Sequence, residues 1–134
     1  MSQEEFKYPV PEDELSMVAE SSEVYASRFF EVSQVAGFKK EELAEVMDSS
    51  LKTITRYKEQ HKKLSPTEGE KILKMQIMFN WGKEVFGDMD VFRQWLDQPA
   101  FGLGGRVPFS LMKTITGIDL IITELKNIAY GNLA

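Results

Sequence analysis

Apolar residues recur along this chain at intervals of three and four, and no stretch alternates in the manner of a strand, so the predicted architecture is all-α. Between Ser22 and Ala36 the residues Tyr25, Phe29, Val32 and Ala36 make one inward stripe, and Gly37 supplies the stop. A weaker segment upstream, Glu12 to Glu20, is a further candidate helix. Glu41 to Met47 reads as a short helix with Leu43, Ala44 and Met47 inward, broken by Asp48, Ser49 and Ser50. Ser50 is a natural N-cap for the next helix, Leu51 to about Gln60, whose stripe is Leu51, Ile54 and Tyr57. Two short helices joined by a three-residue break have the form of a helix-turn-helix.

The strongest local signal is Leu64-Ser65-Pro66-Thr67-Glu68: Ser65 as N-cap, Pro66 at the first helical position, and Glu68 closing a capping box. The helix that starts there runs to Phe86, roughly 30 Å at 1.5 Å per residue. Its apolar residues, among them Ile72, Leu73, Met75, Met78, Phe79, Trp81 and Phe86, cover more than one face, which predicts burial on two sides, as the join between two helical units or as a dimer surface. Gly87 ends it and Asp88 caps a helix over Met89 to Leu96. A glycine-rich loop from Pro99 to Pro108 follows, then a short helix from Pro108 to about Lys113. The last helix, from about Gly117 to Ala129, carries Ile118, Ile121, Ile122, Leu125 and Ile128 on one face and is stopped by Gly131. The pattern divides the chain into an acidic N-terminal arm (1–21), a helix-turn-helix unit (22–64), and a linking helix with a small helical domain (65–134).

Composition narrows the chemistry. With 134 residues, 43% hydrophobic and 28% charged, the chain is long enough for a core that needs no staples. Cysteine is absent and His61 is the single histidine, which excludes disulfides, iron-sulfur clusters, thiolate zinc sites and two-histidine metal sites. No apolar run approaches a membrane span, and Met1 to Val10 is acidic where a signal peptide would be basic, so the expected setting is cytoplasmic, without membrane contact. The net charge of -5 argues against a general coat for nucleic acid, but its distribution is uneven. Acids dominate the start, whereas Lys52, Arg56, Lys58, Lys62, Lys63, Lys71 and Lys74 crowd the middle, where they offer an anion-facing surface or simply a solvated helix face.

An enzyme needs an activated nucleophile, an acid-base pair, a metal or a cofactor cradle, and the material for each is thin. His61 sits among lysines, with no visible partners for a Ser-His-Asp arrangement. The run Gly102-Leu103-Gly104-Gly105-Arg106 has neither the spacing nor the preceding strand of a phosphate-binding loop. No catalytic residue, metal ligand or cofactor is expected. If the helix-turn-helix binds DNA, Ser50, Lys52, Thr53, Thr55, Arg56 and Lys58 are its candidate contacts, base edges toward the helix start and phosphates along it.

Two stretches resemble a known family. Leu43-Ala44-x-x-Met47 followed by Ser50 to Tyr57 looks like the Xre-type helix-turn-helix. The series Val85-Phe86-Gly87-Asp88, Trp95-Leu96, Pro99, Leu103-Gly104-Gly105-Arg106, Pro108-Phe109, Leu111-Met112, Thr114, Gly117, Leu125, Ile128 and Tyr130-Gly131 resembles the toxin-binding domain of Xre/MbcA/ParS antitoxins. At the turn where the family favours glycine and then an apolar residue, this chain holds Asp48 and Ser49, and Asp tolerates the left-handed backbone such a turn requires. Where the family often has asparagine after the proline, Ala100 and then Phe101 stand. The resemblance implies a homodimeric, non-enzymatic antitoxin that covers the NAD pocket of a RES-type toxin and represses its own operator DNA. The toxin-facing residues it implies are Leu103, Gly104, Gly105, Arg106, Pro108, Phe109, Tyr130 and Gly131. The alternative is a helix-turn-helix transcriptional regulator whose C-terminal half serves dimerisation or another partner.

Overall fold

The computed structural model describes residues 10–131 and is all-α over them, with no strand among the described residues. The helices are α1 (Glu14–Ser21), α2 (Ser27–Ala36), α3 (Lys40–Val46), α4 (Leu51–Glu59), α5 (Pro66–Phe86), α6 (Met89–Leu96), α7 (Pro108–Leu111) and α8 (Ile115–Ala129), with a 3-10 turn at Phe101–Leu103. Two compact units divide between Gln76 and Ile77, inside α5.

In the first unit, side-chain caps set the starts of α1, α4 and α5. Asp13 accepts from the Ser16 amide at 2.7 Å to open α1, and that bond holds its carboxyl below the usual range. Ser50 accepts from the Thr53 amide at 3.1 Å to open α4. The capping box is reciprocal, with Ser65 Oγ accepting from the Glu68 amide and the Glu68 carboxylate accepting from the Ser65 amide, both at 3.1 Å. Gly37 takes φ 71 at the end of α2, and Asp48 takes φ 54 in the turn between α3 and α4, the backbone expected of it. The α3 helix packs on both α2 and α4. Phe29, Val32, Leu43, Ile54, Ile72, Leu73 and Met75 fill the core among them.

Two expectations are corrected. The helix expected from Ser22 starts at Ser27, and Tyr25 is not in the buried stripe but 48% exposed. The cause is a long-range pairing: the Ala26 amide donates to the Lys62 carbonyl at 3.0 Å and the Leu64 amide to the Val24 carbonyl at 2.8 Å. With the chain bridged at Tyr25 rather than coiled into α2, Val24 and Ala26 go inward and Tyr25 outward. The stripe of α4 is likewise narrower than expected, with Ile54 alone buried and Leu51 and Tyr57 only half-buried.

The second unit is organised by aromatic rings. Phe92 of α6 lies 6.1 Å from Phe79, 5.9 Å from Phe86 and 6.0 Å from Trp95, centre to centre. These are the offset and edge-on separations such rings prefer. The α5 helix passes close to Phe92 because residue 82 is glycine; a Cβ there would overlap the ring. Gly117 plays the same part on α8, against the Leu111 carbonyl, while Thr114 caps that helix by accepting from the Gly117 amide at 2.9 Å. Ile118, Ile121, Ile122 and Leu125 are buried; Ile128 is half-buried. The broad apolar surface of α5 has a simple account: Ile72, Leu73 and Met75 are buried in the first unit, Met78 and Phe79 in the second.

Candidate functional site

Residues 100–106 of the second unit form a closed turn built by backbone. Ala100 and Arg106 make an antiparallel bridge in which the Ala100 amide donates to the Arg106 carbonyl at 3.0 Å. The Ala100 carbonyl accepts from the Leu103 amide at 3.0 Å and the Gly105 amide at 2.9 Å. The Gly104 amide donates to Phe101 at 3.1 Å and the Arg106 amide to Leu103 at 3.3 Å. Gly104 (φ 67) and Gly105 (φ 76) are left-handed, a conformation costly for any residue with a side chain. The glycines therefore serve the backbone. Amides of Leu103, Gly104, Gly105 and Arg106 are spent on carbonyls of the turn itself, so the turn is no phosphate cradle.

The turn is seated on α8, where Gly102 lies so close to the Glu124 carboxylate that a Cβ would overlap it. Ala100 is buried beneath and Leu103 is half-buried, while Gly104, Gly105 and Arg106 face solvent. Of the remaining expected contacts, Pro108 is buried at the start of α7, and Phe109 is half-buried with the Arg93 guanidinium 5.3 Å from its ring centre. Tyr130 is 68% exposed, its ring 5.9 Å from Trp81, and the Lys126 ammonium is 5.7 Å from that same indole. Gly131, at φ 72, follows it in the open. Tyr130, the C-cap of α8, lies about 9 Å along the helix axis beyond Glu124, so the unit presents the turn and the aromatic tail as two separate patches. Glu124, Trp81 and Arg93 support these patches without having been legible as site residues, because only the packing of α8, α5 and α6 brings them there.

The helix-turn-helix of the first unit is differently made. Ser50 and Thr53 are engaged with each other, since Ser50 Oγ lies 2.8 Å from Thr53 Oγ1 as well as capping the helix. Thr55 and Lys58 line a hollow of about 510 Å³ with Phe30, Lys40, Leu51, Glu59 and His61. In it the Lys40 and Lys58 ammonium groups lie 5.6 and 4.7 Å from the centre of the Phe30 ring. Lys52 and Arg56, one turn apart, are exposed on another face, the Arg56 guanidinium 5.5 Å from the Tyr57 ring. The six expected DNA contacts thus split among a cap, a hollow and an outward face.

Lys71 is not a surface cation. It is 7% exposed and donates to the Val46 carbonyl at the end of α3. Burial pulls its ammonium below the ordinary lysine range, partly opposed by Asp48. Gln76 is fully buried, with its Oε1 accepting from Arg28 at 2.7 Å. Among the described residues no cluster of His, Asp and Glu has the makings of a metal site, and no helix is long and apolar enough to cross a membrane.

Comparison with known families now bears on both surfaces. Residues 26–76 match the antitoxin Xre-like helix-turn-helix domain, and residues 82–131 match the antitoxin Xre/MbcA/ParS C-terminal toxin-binding domain. The chain belongs to the Xre/MbcA/ParS antitoxin family. Its toxin-binding domain contains the whole turn, α7 and α8, and its helix-turn-helix domain spans α2, α3 and α4. A chain in the crystal structure of the M. tuberculosis MbcT-MbcA toxin-antitoxin complex has a similar fold, with a TM-score of 0.63 and 18% identity over 81% of this chain and 96% of that one. No curated protein matches.

Proposed function

We propose that this antitoxin neutralises an NAD-consuming toxin of the RES type by laying the turn at 100–106 and the exposed end of α8 over the toxin's active site. The carrying observation is that the segment matched to the toxin-binding domain contains a turn whose backbone is held from within and whose Arg106 stands free in solvent. A guanidinium offered from such a turn suits an acidic group at the rim of the toxin's pocket, which it can meet with paired N-H donors. Leu103, Gly104, Gly105, Pro108 and Phe109 give the contact its shape, and Tyr130 with Gly131 extends it. The protein acts in the cytoplasm as a homodimer, by binding rather than by catalysis and with no cofactor.

The test is to titrate the purified chain into a RES-type toxin encoded beside it while NAD loss is followed. Inhibition should be complete at about one equivalent, and Arg106→Glu should weaken it at least tenfold. Unabated NAD loss in excess antitoxin overturns the proposal.

A second activity, repression of its own operator, is favoured by the outward pair Lys52 and Arg56 on α4. Binding to promoter DNA should weaken with salt, and Arg56→Ala should lower the salt slope by about one. Unchanged affinity and slope in that variant would remove α4 from the contact and leave the regulator function without its reading helix.

A further inference from the structure

Phe101 is the one large apolar side chain of the toxin-binding segment that its own fold leaves wholly in water, at 100% exposure. Its backbone is nonetheless fixed. Ala100 before it is buried and bridged to Arg106, Gly102 after it is seated against Glu124, and its own carbonyl accepts from the Gly104 amide. The ring therefore contributes nothing to the core of the unit, yet it is carried on one of the unit's most constrained turns. A large aromatic in that position is ready to enter a partner with little further loss of conformational freedom, and aromatic anchors of this kind dominate binding energy in protein interfaces. Arg106 stands beside it, brought there by the bridge to Ala100 and likewise exposed.

Resting on the toxin-binding role proposed above, we propose that Phe101 is the specificity anchor of that interface: its ring enters an apolar pocket on the toxin surface, with an acidic group at the rim meeting Arg106. The occupant is the toxin and not a second copy of this chain, because the turn lies inside the segment matched to the toxin-binding domain. Phe101 thus sets which toxin this antitoxin recognises, while Arg106 supplies attraction that many anionic sites would satisfy.

The experiment measures association and dissociation of the full chain with the toxin whose NAD consumption the unaltered chain suppresses. Phe101→Ala should weaken affinity by about thirtyfold or more, chiefly through faster dissociation. Phe101→Leu should recover most of it. The melting temperature of the free Phe101→Ala variant should match the unaltered chain, since no buried contact is removed. Unchanged affinity in Phe101→Ala, with Arg106→Glu still disruptive, overturns the anchor and leaves the toxin interface standing. An unaltered chain that neither binds nor suppresses the toxin overturns both. A variant that changes self-association while keeping toxin affinity assigns the ring to a contact between copies, which also overturns the proposal.

Discussion

The turn at 100–106 and the turn between α3 and α4 are both short, both contain left-handed residues, and both lie in segments matched to domains of one antitoxin family, but they differ in what their side chains do. The first uses backbone alone: amides of five of its residues are satisfied by its own carbonyls, and its side chains at 101 and 106 are left unspent. The second has backbone bonds too, from the Asp48 amide to Glu45 and the Ser49 amide to Ala44, but it spends its side chains as well. Ser50 caps, Thr53 partners Ser50, and Lys71 reaches from α5 to the last carbonyl of α3, that of Val46. A turn closed by backbone can change its exposed residues at small cost to stability, whereas a turn closed by side chains cannot. The first is therefore the better place for partner choice to diverge, and the second for a shape to be kept.

The largest way to break that contrast is through the platform of the turn. Phe92→Ala removes a ring packed against three others and should cost the second unit about 3–5 kcal/mol. Denaturation should show the loss, and toxin affinity should fall far more than DNA affinity. Next comes Lys71→Met, which keeps the aliphatic stem but leaves the Val46 carbonyl without its donor; a loss of about 1–3 kcal/mol is expected at neutral pH. Its pH dependence carries a sign. Because burial lowers the folded-state pKa of Lys71, the unfolded chain binds more protons between that value and the ordinary 10.5, so the stability of the unaltered chain relative to Lys71→Met should rise with pH across that window. Denaturant midpoints from pH 7 to 10.5 check this, and a flat or falling difference would contradict it.

Gly104→Ala tests the backbone-closed turn directly. It forces a side chain into φ 67 and should cost about 1 kcal/mol, with a larger proportional loss in toxin binding than in melting temperature. The smallest effect belongs to Ser50→Ala, which removes the cap of α4 for about 1 kcal/mol or less and should leave toxin binding unchanged. If Ser50→Ala disturbed toxin binding as strongly as Gly104→Ala, the separation between the two turns would collapse.

Much of the fold was legible because its signals act within one turn of helix. Ser65, Pro66 and Glu68 start α5 as expected, Asp88 caps α6 by accepting from the Asp90 and Val91 amides, and Gly37 and Gly87 stop their helices in left-handed backbone. The same locality explains why Asp48 can stand where the family favours glycine. What misled was the stripe at Tyr25: its spacing is helical, but the carbonyls and amides that claim Val24 and Ala26 belong to residues 62 and 64. The site was legible in outline only. The glycines of the turn announced a backbone requirement, but that their amides are consumed internally depends on the bridge between Ala100 and Arg106.

By itself the sequence determined the helical architecture, the order of its helices and most of their ends, since propensity, caps and glycine stops act over three or four residues. It also bounded the chemistry, because a chain without cysteine and with one histidine has few ways to hold a metal or a nucleophile. Exposure was decided by tertiary structure alone. Lys71 reads as one of a run of solvated lysines and is buried, Tyr25 reads as part of an inward stripe and is 48% exposed, and Phe101 stands wholly exposed. The physical reason is common to all three: whether a side chain meets water depends on which distant element packs over it, and that is a property of the assembled core rather than of any window of sequence.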